Sequence, residues 1–205
     1  MRAILFDLDR TLVDVQSFTD YAAALADVEA VVAEWPDPPT PETGWDGPTR
    51  RAMGILVALS GDPRWQEVSD TIERHEMAAV VRSRPMPYAR ATFAALSDRP
   101  RAVVTLLPDG AARAALERHG IEVDVLVPRR ADLRPKPAAD QLLEACRILG
   151  TDPTETVMVG DSTWDHAAAV AAGIDFIGVT NRDPSEFDPT VTVVETLAGL
   201  VHHVT

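Results

Sequence analysis

The chain has almost no thiol, a single lysine and few aromatic rings. Its one cysteine, Cys146, excludes an intramolecular disulfide and reads as a small apolar helix residue. Its one lysine is Lys136; apart from the histidines, every other basic side chain is arginine. Acids outnumber these bases by 32 to 19, a formal net charge of -13, which argues against a nucleic acid or an anionic membrane as partner. An acidic, lysine-poor surface fits either a salt-adapted cytoplasm or a GC-rich genome. No apolar run reaches membrane-spanning length. The first predicted strand follows Met1 at once and leaves no room for a signal peptide, so a cytoplasmic protein is expected. What is present is a globular composition: 46% hydrophobic and 25% charged residues, enough to bury a core in one domain plus an insertion.

The first eleven residues organise the rest. Ala3 to Phe6 is a short apolar run that reads as a buried strand. It ends in Asp7-Leu8-Asp9-Arg10-Thr11. Aspartate is a poor strand residue and is costly to bury without a partner or a cation. A regular strand would put Asp7 and Asp9 on one side, where like charges crowd. A divalent cation would relieve that, leaving one carboxylate as nucleophile and the other as acid and base. The same residues also fit a strand that ends in a solvated acidic turn.

After Thr11 the pattern changes. Gln16 to Trp35 reads as a helix capped near Ser17, and residues 36–48, with five prolines and two glycines, as a rigid loop. Thr49 to Leu59 predicts a second helix, and Asp62-Pro63 starts a third that runs to about Arg82. Nothing here resembles a strand, so residues 14–86 are expected to form an all-helical insertion. Helices are then predicted at 90–96, 110–119, 138–149 and 163–172, and strands at 101–106, 123–127, 156–159 and 176–179. This alternation predicts an α/β fold, a Rossmann-like parallel sheet with helices on both faces and ligands at the carboxyl ends of its strands.

The polar residues of interest fall at such ends. Thr105 closes one strand; Lys136, between Pro135 and Pro137, precedes a helix; Asp161 and Asp165 follow an apolar strand. Each is unremarkable alone, but in this order they suit a hard cation beside an anion. Together they resemble the four motifs of the haloacid dehalogenase superfamily: Asp7-Leu8-Asp9-Arg10-Thr11, Thr105, Lys136-Pro137 and Gly160-Asp161-Ser162-Thr163-Trp164-Asp165. The insertion's position is similar to the helical C1 cap of the phosphoglycolate-phosphatase-like subgroup. That resemblance implies a core of residues 1–13 and 87–205 and a cap of residues 14–86.

The resemblance also implies roles. Asp7 would attack phosphorus and bind Mg²⁺, Asp9 would act as acid and base while its carbonyl binds the metal, and Asp161 would be a further metal ligand. Thr105, the backbone of Leu106 and Lys136 would hold the phosphoryl oxygens, and Asp165 would orient Lys136 or reach the metal through water. The implied function is a Mg²⁺-dependent phosphatase acting on a small phosphorylated metabolite through an aspartyl-phosphate, in a monomer or homodimer. A phosphomutase, a hydrolytic haloacid dehalogenase and a catalytically silent binding protein share the scaffold; Asp9 argues against the dehalogenase, whose halide needs no proton. Arg10 and Leu106 depart from the family's commoner residues, and Ala138-Ala139 replaces its usual continuation after Lys136-Pro137. Arg50, Arg51, Arg74, His75 and Trp45 are the cap residues that could face the site, with at most one of the adjacent pair Arg50 and Arg51 doing so. Hinges are expected near 13–16 and 85–88, and His202 and His203 read as an ordinary tail.

Overall fold

The computed structural model of the protein describes residues 2–40, 47–181 and 186–204. Strand β1 is Ala3–Phe6, as its apolar run predicts, and all four residues are buried. A two-residue strand β2, Val13–Asp14, leads to three helices: α1 (Tyr21–Ala33), α2 (Pro48–Ala58) and α3 (Trp65–Val80). A second two-residue strand, β3 (Arg84–Pro85), follows. Then come α4 (Ala89–Ala95), β4 (Arg101–Val104), α5 (Asp109–Arg118), β5 (Leu126–Val127) and α6 (Asp140–Leu149). The chain closes with β6 (Thr156–Gly160), α7 (Thr163–Ala172), β7 (Asp175–Val179), β8 (Val193–Val194) and α8 (Val201–Val204).

Six strands form one parallel sheet in the order β5-β4-β1-β6-β7-β8. Alternation along the strands feeds two cores. Ile4, Phe6, Val103 and Val159 pack with α4, α5 and α8, while Leu5, Val104 and Met158 pack with α6 and α7 on the opposite face. The first strand lies in the middle of this sheet, between β4 and β6, so three of the predicted polar strand ends meet beside it.

The helices α1, α2 and α3 bury a separate cluster built on Leu25, Val28, Leu56, Trp65 and Ile72. Leu106 and Trp164, from the ends of the sheet, pack against it. The carboxyl end of α3 joins the other side, with Ala79 and Val80 in the core under α4 and α5.

Several local expectations change. The helical segment is not free of strands, because Val13–Asp14 pairs antiparallel with Arg84–Pro85 where the chain leaves and rejoins the sheet. The helix expected from Gln16 starts only at Tyr21: residues 16–18 form a single 3₁₀ turn, and Asp20, accepting from the Ala23 amide at 3.0 Å, is the cap. Asp62 closes a turn on the Arg64 amide at 2.8 Å, so α3 begins two residues later than Pro63 suggests. The strand expected over 123–127 shortens to two residues. The C-terminal histidines lie in α8, whose Val204 is buried, so the tail is part of the packed structure. Cys146 is buried on α6. Trp45 lies outside the described residues.

Candidate active site

Asp7 follows β1 and is 5% exposed. Its backbone N–H donates to Val159 O at 2.8 Å, which holds it at the level of the β6 end. Lys136 reaches the same point from the segment before α6 and is 2% exposed. Its ammonium donates to Asp7 Oδ1 at 2.7 Å, Asp165 Oδ1 at 2.5 Å and the Val104 carbonyl at 3.2 Å, which uses all three of its protons. Burial works against that charge, but Asp165 and Asp7 outweigh it and hold Lys136 above its ordinary pKa.

Asp165 is pinned twice. Its Oδ2 accepts from the Ser162 amide at 3.1 Å and the Ser162 hydroxyl at 2.5 Å, a capping box that starts α7. The turn brings it onto the strand end so closely that a Cβ at Gly160 would lie 2.6 Å from the Asp165 side chain. Glycine at 160 is therefore what lets Asp165 reach Lys136.

One carboxylate oxygen each from Asp7, Asp161 and Asp165 lie within 4.8 Å of one another. Burial raises the pKa of Asp161 well above its ordinary value, reinforced by the charges of Asp7 and Asp165. Burial also raises Asp7, against the pull of Lys136. Positive charge is thus short at this cluster, and Asp7 and Asp161 hold their protons more tightly than ordinary carboxyls. The donors are all hard oxygens. A divalent cation fits this set on charge and chemistry.

Asp9 behaves differently from Asp7. The strand stops at Phe6, so simple alternation does not carry to residue 9. Its carboxylate lines the cavity beside Asp7 and accepts from the Val15 and Gln16 amides at 2.9 and 3.0 Å. Burial lifts its pKa to about 7 in spite of those two bonds. The like charge of Asp7 also raises Asp9, as crowding predicts, while the two amides tie Asp9 to the segment leading into the helices.

Thr105 is fully buried, and its hydroxyl accepts from the Leu107 amide at 3.1 Å. Gln141 joins two of the strand-end segments: its amide donates to Thr105 O at 2.9 Å and its oxygen accepts from the Lys136 amide at 3.1 Å. Gln141 escaped sequence reasoning, although it lies on the buried stripe Gln141, Leu142, Ala145, Cys146 of α6, where a polar residue asks for a partner.

Arg10 has a left-handed backbone, φ 60°. Its Nε approaches Asp161 Oδ2 to 3.7 Å, so the side chain points into the site and not away from it. The site opens into a cavity of about 540 Å³ between the sheet and the helical cluster. Arg50 lines it and pairs with Glu186, while Arg51 turns to Glu29 at 2.7 Å, so one of the two faces inward. His75 pairs with Asp27 at 2.8 Å, and Arg74 lines a different, surface depression. The α3 residue that does face the cavity is their neighbour Glu76, beside Tyr21.

The family model for haloacid dehalogenase-like hydrolases matches residues 1–173. The chain belongs to that family. Within it, the chain is 32% identical over 194 residues to a phosphoglycolate phosphatase of Neisseria meningitidis, covering 88% of this chain and 80% of that protein. A phosphoglycolate phosphatase of Pseudomonas putida is 30% identical over 225 residues, covering 98% of this chain and 78% of that protein. A hydrolase from Pseudomonas syringae superposes with a TM-score of 0.74 over 100% of this chain and 98% of that one, at 18% identity. The last likeness concerns the fold alone. Among the described residues no helix is long and apolar enough to cross a membrane.

Proposed function

We propose that this haloacid dehalogenase-like hydrolase is a phosphatase that cleaves a small phosphorylated metabolite through an aspartyl-phosphate on Asp7. The observation that carries the reading is the buried cluster in which Asp7, Asp161 and Asp165 converge and Lys136 bridges Asp7 to Asp165, with Asp9 held two residues from the nucleophile. The match to the hydrolase family and the similarity to phosphoglycolate phosphatases support the same chemistry.

In the first half, an Asp7 oxygen attacks phosphorus and the ester P–O bond breaks. The leaving oxygen takes its proton from Asp9, whose pKa near 7 lets it carry one at neutral pH. In the second half, Asp9 removes a proton from water, the water oxygen attacks phosphorus, and the bond to Asp7 breaks to release phosphate. Lys136 and the backbone amides after Thr105 would bind the phosphoryl oxygens, with Lys136 exchanging its Asp7 contact for the transferring group. Asp161, an Asp7 oxygen and the Asp9 carbonyl would hold a divalent cation, which we assign as Mg²⁺ because every donor is oxygen. Bound there, the cation would neutralise charge on the carboxylates and the phosphoryl group. Asp165 orients Lys136.

We read residues 1–13 and 87–205 as the catalytic core and 14–86 as a cap whose walls select the ester. The paired strands β2 and β3 would be its hinge. Phosphate release from a panel of phosphorylated two- and three-carbon acids and sugars, with and without Mg²⁺, tests the reading. Metal-dependent release that disappears in Asp7→Asn is expected; release by Asp7→Asn at the wild-type rate would overturn the mechanism.

A further inference from the structure

Arg129 follows β5 in the sheet half of the molecule, yet its side chain is inside the helical cluster. It is 3% exposed, and its guanidinium is fully covered. Nε donates to Ser69 Oγ at 3.0 Å and Nη2 to Ser69 O at 3.0 Å, both on α3. Nη1 donates to Glu76 Oε1 at 2.9 Å, and Nη2 lies 2.8 Å from Glu76 Oε2. Nη1 also donates to the carbonyl of Leu106 at 2.8 Å, and the Arg129 amide donates to Leu107 O at 3.1 Å. Glu76, itself fully buried, accepts at the same Oε1 from the Tyr21 hydroxyl at 2.9 Å. Tyr21, Glu76 and Leu106 line the cavity above the cluster of acids.

Two things follow from this geometry. The loop that carries Thr105 and Leu106 is held by Arg129 through both backbone and side chain, so its position depends on the same guanidinium that grips α3. The Tyr21 hydroxyl donates to the same carboxylate oxygen that Arg129 grips, which fixes where the ring stands in the cavity wall. A guanidinium fork can serve the Leu106 carbonyl, Ser69 and Glu76 at once; an ammonium cannot match that spread.

We propose that Arg129 and Glu76 are positioning residues that couple the phosphate-binding loop after β4 to the helical wall of the cavity, so that the loop and Tyr21 are set together. The coupling itself is a property of the fold; its effect on turnover rests on the phosphatase reading given above.

Amide hydrogen exchange on the full-length protein tests the coupling without turnover. In Arg129→Lys, which keeps the charge and loses the fork, exchange is expected to speed up about tenfold or more both at residues 105–107 and at residues 69–76, with β7 unchanged. Faster exchange in α3 with the loop at the wild-type rate would overturn the proposal and leave a purely structural ion pair. Glu76→Gln, which keeps the shape, is the second variant if Arg129→Lys does not fold, with the same two outcomes. Kinetics then separate the roles. Arg129→Lys should weaken competitive inhibition by inorganic phosphate by about tenfold, whereas Tyr21→Phe should raise KM for the ester and leave phosphate inhibition unaltered. Phosphate inhibition within twofold of wild type in a folded Arg129→Lys would also count against it. A wild-type protein that released phosphate from no ester would sink the phosphatase reading alone, because the exchange result decides the coupling independently.

Discussion

Two buried ionic groups stand a short distance apart in this molecule, and they are built on opposite terms. Around Arg129 the charges balance: one guanidinium faces one carboxylate, and Ser69, Leu106 and Tyr21 take up further hydrogen bonds. Around Lys136 they do not: its ammonium serves Asp7 and Asp165, Asp161 has among the described residues only the partly exposed Arg10 at 3.7 Å, and burial raises the pKa of both Asp7 and Asp161. The first arrangement is complete within the chain and resists change. The second is left short of positive charge, an opening that a divalent cation would fill. A buried charge cluster that the protein leaves unbalanced is a stronger pointer to chemistry than burial or charge alone.

The contrast can be broken most sharply at Asp7. Asp7→Asn should cut turnover by roughly four orders of magnitude or more, as expected when a covalent nucleophile is lost, while circular dichroism shows an intact fold. Unbalancing the other pair should strike stability instead. Arg129→Met strands Glu76 in the interior and should cost about 3–5 kcal/mol in urea unfolding, whereas the double change Arg129→Met with Glu76→Leu should recover most of that loss.

The pH dependence of stability in the absence of divalent ions sharpens the comparison further. Asp9 has an ordinary pKa of 3.8 when unfolded and about 7 when folded. The folded state therefore holds a proton that the unfolded chain has released, so unfolding free energy should fall as pH rises from about 4 to about 7. The upward shifts of Asp7 and Asp161 act in the same sense. Added Mg²⁺ should flatten that slope; a slope indifferent to Mg²⁺ in chemical denaturation would mean that the acids are not its ligands. The smallest effect is expected at Arg10. Its guanidinium competes for Asp161 from 3.7 Å and its backbone is left-handed, so Arg10→Gly should tighten divalent-ion binding a few-fold by calorimetry, on the order of 0.5–1 kcal/mol.

The parallel sheet was legible because its strands are short apolar runs punctuated by glycines, as at Gly150 and Gly173, which both end helices with positive φ. The buried ionic cluster was legible because strand ends in such a sheet must converge, so Asp7, Lys136, Asp161 and Asp165 could be placed together without knowing a single distance. Asp9 was readable as a residue but not as an orientation, since the strand's regularity ends one residue before Asp7. Arg129 and Glu76 were illegible for a different reason. Glu76 lies on the buried stripe Trp65, Val68, Ile72, Glu76, Ala79 of α3, which asks for a partner without naming one; Arg129 sits in no periodic pattern, and the pairing spans 53 positions. Only the docking of α3 over the Thr105 loop makes partners of them. The same docking explains why Arg74 and His75, one or two residues earlier on that helix, point elsewhere.

The short ladder of Val13–Asp14 with Arg84–Pro85 has a consequence for how such a chain can be remodelled. Backbone that departs from the sheet returns within one strand spacing of its departure, with Met86 N–H donating to Leu12 O at 2.9 Å. The two ends of the intervening segment therefore meet side by side, so its length is not set by the spacing of the strands it leaves and rejoins. In this chain the helical segment is also tied across to the sheet half by the guanidinium of Arg129 and by Ala79 and Val80 in the core under α4 and α5, which any replacement would have to satisfy or dispense with.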